Sequence, residues 1–186
     1  MKPFLTLAAL LVALIPSALA AQNASPPPDP REYNDPAMHF RVPAGYVSVG
    51  NHPIALADLP DDLSIVAGWV LPGDSDQRKI FIQMAAFNGR VDDFEGVYEQ
   101  QIRGQVQDAV FKNKTPMSLK NGMPAYYVEM ESGSGFDTAK SFIIMWADGQ
   151  RGVAIVATGK LSAWDALKAR AALSDVSAVR YPADRE

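Results

Sequence analysis

Few side chains in this sequence could do chemistry, and they are scattered. His39 and His52 are the two histidines, and there is no cysteine. A metal site built on two imidazoles would need a carboxylate near both, and Asp35, Asp58 and Asp61 are the candidates. Their spacing fits no ligand motif, so hairpin packing or surface exposure is the expectation for both histidines. Asp74-Ser75-Asp76 opens like a calcium loop, but the central glycine and terminal glutamate of such a loop are missing. Ser132-Gly133-Ser134-Gly135 resembles an anion cradle, yet a strand follows it where a phosphate loop requires a helix. It is not a nucleophile elbow either. Asp92, Asp93, Glu95 and Glu99 could pair carboxylates for glycoside chemistry. A position in the first turns of a helix accounts for most of that cluster without catalysis. The absence of cysteine excludes disulfides, thiol catalysis and thiolate metal sites. No catalytic residue, metal ligand or cofactor is assigned, and the chain is expected not to be an enzyme.

The elements that would position such residues can be read from periodicity. Strand patterns run from Met38 through Val42, resume at Tyr46–Val49 after a Pro43-Ala44-Gly45 turn, and return at Ser64–Leu71 and Ile80–Phe87. A helix is expected from Asp93 to Ala109, because Phe94, Val97, Tyr98, Ile102 and Val106 recur at three and four residues. Asp92 or Asp93 is its expected cap, and its length would be about 25 Å. Further strands follow at Phe111–Leu119, Pro124–Glu131, Lys140–Trp146 and Gly152–Thr158. Asn121-Gly122 and Asp148-Gly149 supply tight turns between them. A second helix, started by Ser162, would put Ala163, Trp164, Leu167 and Ala171 on one face. Residues 174–186 read as a polar tail.

Several strands are apolar on both faces. Ile143 and Met145 oppose Phe142, Ile144 and Trp146. Ile80, Ile82 and Met84 oppose Phe81, Ala85 and Phe87. Val153 and Ile155 oppose Ala154 and Val156. Strands of that kind need cover on both sides, and their short connections exclude parallel crossovers. The expected fold class is α+β: a central, mostly antiparallel sheet with helices on both faces. Trp69, Trp146 and Trp164 are expected in the core, and Tyr126 and Tyr127 on opposite faces of one strand.

Residues 1–20 have the layout of a cleavable secretory signal: Lys2, an apolar run from Phe4 to Ile15, and small residues at Ala18 and Ala20. The apolar run is too short to span a membrane. Residues 21–36, with Pro26-Pro27-Pro28, read as a disordered linker, and 37–182 as a single domain. The whole chain carries net charge −4, and losing Lys2 with the leader brings it to −5. An acidic surface disfavours nucleic acid and anionic membranes as partners. The expected location is the periplasm.

Residues 38–180 resemble the PsbP-like and DcrB-like superfamily. The resemblance is carried by MHFRVPAGY, by the helix after the first sheet strands, by LKNGMPAYYVEM, by IIMWADGQRGVAIVATG and by the Trp164 helix. Tyr46 stands where Trp is more usual. The resemblance implies a central antiparallel sheet flanked by helices, and binding or assembly roles rather than catalysis. It carries over no site residue. The leading expectation is an exported protein that contacts another envelope protein. His52, Ile54, Leu56 and Leu59, in the Gly50–Asp62 segment, are the candidate contact residues. The alternative is a small-ligand binder with a pocket between sheet and helix, near Trp69 or Tyr127. A hydrolase with an unrecognised site ranks third.

Overall fold

The computed structural model describes residues 29–133 and 138–178. The leader, the proline tract and Ser134, Gly135, Phe136 and Asp137 lie outside the described residues. Ten strands and two helices follow in order. They are β1 (Glu32–Asp35), β2 (Met38–Arg41), β3 (Val47–Asn51), β4 (Ser64–Val70), β5 (Lys79–Ala86), α1 (Val91–Gln105), β6 (Val110–Ser118), β7 (Pro124–Ser132), β8 (Ala139–Ala147), β9 (Arg151–Lys160), α2 (Ala166–Ala172) and β10 (Val176–Ala178). A large sheet takes the order β3-β4-β5-β9-β8-β7-β6, and a small one the order β1-β2-β10. Each strand pairing within them is antiparallel.

The two-faced strands are the central ones, as their sequences require. Ile143, Met145, Ala154 and Val156 pack with Phe94, Tyr98 and Ile102 of α1. Phe142, Ile144, Trp146, Val153 and Ile155 pack on the other side. Each fully buried aliphatic side chain of this kind contributes about 1.5–3 kcal/mol. Helix α1 lies close against the sheet at Gly152, where an added Cβ would come within 1.9 Å of the Phe94 ring. Buried Gln83 is satisfied by the Tyr98 hydroxyl, which donates to Oε1 at 2.9 Å.

The expected helix layer on each face is overturned on the side opposite α1. That face is closed by the small sheet, whose Tyr33, Phe40 and Val176 enter the same core as Trp69 and Trp146. Helix α2 spans only seven residues and packs Ala169, Ala172 and Leu173 beside it. Among the described residues, strand accounts for 47% and helix for 16%, so the fold is mostly β rather than an α/β/α sandwich. The physical reason is that apolar faces specify burial without specifying what buries them.

Several boundaries move with that correction. The expected linker gives up Glu32–Asp35 to β1, whose Tyr33 is fully buried. The expected polar tail contains β10, paired to β2. Helix α1 begins at Val91 rather than Asp93, and Arg90 is its N-cap. Asp93 instead sits one turn in, where its carboxylate accepts from the Arg90 amide at 3.4 Å. Helix α2 is capped by Asp165, which accepts from the Lys168 amide, and not by Ser162. Val97 is exposed, as is Ala171, each against the periodic reading.

The small sheet is tied to the large one by a buried ion triad. Arg151 donates from Nη1 to Asp35 at 2.7 Å and from Nε to Asp148 at 2.7 Å. Arg151 and both carboxylates are almost wholly buried. Asp35 also accepts from the amides of Ala37 and Met38, and Asp148 from those of Gln150 and Arg151, so each also shapes its own turn.

Candidate functional site

The candidates read from sequence are dispersed by the fold. His39 lies on β2, 3.9 Å from Glu32, and His52 is exposed beyond β3. Asp35, a candidate metal carboxylate, is committed to Arg151. Among the described residues no group of three His, Asp or Glu side chains is placed to hold an ion. Asp74 turns back on its own loop, accepting from the Arg78 amide at 2.8 Å and from its Nε at 2.9 Å. These bonds hold the Asp74 carboxyl well below the usual carboxylate range. The acidic cluster is likewise spent pair by pair. Asp92 accepts from the Tyr126 hydroxyl, Glu95 pairs with Lys114 at 2.7 Å and Glu99 with Arg103. Asp92 and Glu95 both lie near Lys114 and Tyr126, each already bonded to one of them.

The candidate contact segment is pinned along much of its length. Ile54 and Leu59 are half-buried and pack against the main core. The His52 amide donates to Val66 O, and Pro60 O accepts from Ala86. At its far end Asp62 accepts from Gln101 of α1 at 3.4 Å. The side chain of Leu56 lies outside the described residues, although its backbone opens a short 3₁₀ turn. Trp69, named for a pocket, is sealed: it is fully buried and its indole donates to Pro30 O at 2.7 Å.

Tyr127, the other residue named for a pocket, does line one. A cavity of about 510 Å³ opens where the β6 edge and β7 face the turn from α2 into β10. Its walls are apolar, from Met117, Leu119, Ile144, Leu173 and Val176. Strand alternation explains the wall: Tyr127 stands opposite Ile144 in the β7–β8 register, and both face the core that receives α2. Tyr127 is 3% exposed, and its buried hydroxyl makes no hydrogen bond of standard geometry, although the Arg170 guanidinium is close enough to act on it. Burial pushes its pKa up, with Arg170 pulling the other way.

The rim of this cavity carries charge. Arg170 lies over the Tyr127 ring, 4.7 Å from its centre, and has no carboxylate partner among the described residues. Lys120 is the other cation, but it is paired with Asp175 at 2.8 Å. The Ser174 hydroxyl donates to Ala171 O. Among the described residues, Arg170 is therefore the rim cation without a carboxylate partner. Its position could be found from sequence only by knowing that α2 packs beside Tyr127.

A second cavity, of about 430 Å³, lies on the α1 side of the same sheet edge and shares Pro116 and Met117 with the first. Its polar groups are already engaged, Tyr126 with Asp92 and Arg90 with Asp92. The two tyrosines do fall on opposite faces of β7. Among the described residues no helix is long and apolar enough to cross a membrane. Compared with known proteins, the chain matches no family model, and no curated protein matches it.

Proposed function

We propose that the chain is an exported, non-catalytic binding protein whose ligand is a small molecule held in the Tyr127 cavity. The observation that carries this is an apolar cavity lined by Tyr127, with an arginine at its rim against the tyrosine ring. Pockets of roughly 300–1,000 Å³ with mostly apolar walls and a few polar groups are the usual form of small-ligand sites. The signal-like leader supports export, and the dispersal of acid–base groups supports binding over catalysis. A thermal-shift screen of small organic molecules tests the reading, run on the wild type and on Ser118→Trp. Ser118 is an exposed lining residue, so the indole plugs the mouth without entering the core. Hits that raise the wild-type Tm and leave the plugged variant unmoved support the site. Equal shifts in both reject it. Tyr127→Phe adds a second reading of the same point. It should melt at or near the wild-type temperature without ligand, because the hydroxyl it removes makes no hydrogen bond of standard geometry.

Contact with another protein is favoured by one observation elsewhere. Strand β3 ends the large sheet, with Val49 67% and Ile65 of neighbouring β4 64% exposed. A partner offering an extended strand could pair there. Val49→Lys would abolish such pairing and leave ligand shifts at the Tyr127 cavity intact.

A further inference from the structure

We infer that the ligand of the Tyr127 cavity is a small organic anion, with one carboxylate-like head and a short apolar body. This rests on the pocket reading above and adds the chemical class. The cavity offers two kinds of recognition side by side. Met117, Leu119, Leu173 and Val176 give an apolar trough with no polar side chain among them. Arg170 stands at the rim, where its planar fork can take a carboxylate through two parallel bonds. The competing cation does not dilute this, because Lys120 is neutralised by Asp175. A cationic ligand would meet Arg170 as a like charge. A neutral ligand would leave the guanidinium where it now rests, against the aromatic ring.

Arg170 also covers the group that the ligand needs. Its guanidinium lies 4.7 Å above the Tyr127 ring, and the hydroxyl beneath is screened from water. An anion at the rim draws the exposed Arg170 side chain away from the ring. That movement uncovers the hydroxyl, which then donates a hydrogen bond to an oxygen of the head group. One arginine thus selects charge and opens the floor of the pocket.

Titration calorimetry with octanoate, octanol and octylamine tests the class, with NMR signals of Met117 and Tyr127 reporting where each binds. Octanoate should bind at least about tenfold tighter than octanol, the value of one charge-assisted contact, and octylamine weakest. Arg170→Gln should remove the preference for octanoate over octanol. Lys120→Gln should keep it. Equal affinity for octanoate and octanol in the wild type would overturn the anion inference while the pocket stands. So would a preference that survives Arg170→Gln, or one lost equally in Lys120→Gln, which would mark diffuse charge. If none of the three probes moves the Met117 and Tyr127 signals, the anion inference fails. If the Ser118→Trp screen also gives no cavity-specific hit, the pocket reading falls with it.

Discussion

Arg151 joins groups 116 positions apart in the sequence, and no local pattern announces it. It sits at the start of β9 with carboxylates on two sides, one from the β1–β2 turn and one from the β8–β9 turn. Removing the cation while keeping the shape leaves Asp35 and Asp148 buried without a partner. Arg151→Met should therefore destabilise the fold by about 3–5 kcal/mol, measured by denaturant unfolding. A loss under about 1 kcal/mol would mean that the triad is solvated. Asp74 gives a prediction of another kind. Its bonds to Arg78 depress its folded pKa below the unfolded value, about 3.9. The stability it supplies is full above that unfolded value and drains away as pH falls through the folded one. The Tm gap between wild type and Asp74→Asn should be open at pH 5 and should narrow steadily toward pH 2. A constant gap would deny the linkage. At this scale the sequence was a poor guide. Asp35, Asp92 and Glu95 read as possible ligands or catalysts because composition shows charge and hides partners. The buried tryptophans were legible, since a large apolar residue in an apolar strand has few other places to go.

Helix α1 illustrates both what periodicity reveals and where it stops. Phe94, Tyr98 and Ile102 were legible as its buried stripe, and the structure buries all three. Its start was misread by two residues, because an aspartate can cap from the N3 position as well as from the N-cap. The depth of its packing was invisible, since nothing in the sequence says that Gly152 lies under Phe94. Phe94 is fully buried and cannot swing away from an added methyl group. Gly152→Ala should then cost about 1–3 kcal/mol or more through overpacking. Chemical unfolding checks it, and Phe94→Leu in the same chain should recover part of the loss. If Gly152→Ala is neutral, the helix rides higher than described. The strands tell a similar story. Asn121-Gly122 and Asp148-Gly149 were readable as turns, and both glycines take positive φ there, 82° and 101°. Strands β1 and β10 were not readable. Each is too short to show a period, and Tyr33 is flanked by Glu32, Asn34 and Asp35. Tertiary pairing alone makes them strands. The two edges of the large sheet also differ. The β6 edge carries Lys112, Lys114 and Pro116, residues that discourage strand addition, whereas β3 reads Val-Ser-Val-Gly-Asn.

For the molecule as a whole, the layer count was legible and the identity of one layer was not. The candidate pocket follows from that hidden layer, because Leu173, Ser174 and Val176 reach Tyr127 only when β10 joins β2. A chain ending at Ser174 tests the dependence. It loses Val176, which is 2% exposed, and the pairing with Phe40 and Met38. Burial of that valine alone is worth about 1.5–3 kcal/mol. The shortened chain should melt at a lower temperature and with a shallower transition by circular dichroism. It should also lose every ligand shift assigned to the cavity. An unchanged melt would reduce β10 to an ornament. The small sheet has a further consequence in time. Strands β1 and β2 precede every strand of the large sheet and β10 follows them all, so the small sheet cannot close until the large sheet has been made. Until then the core around Trp69 and Trp146 lacks the cover that Val176 completes.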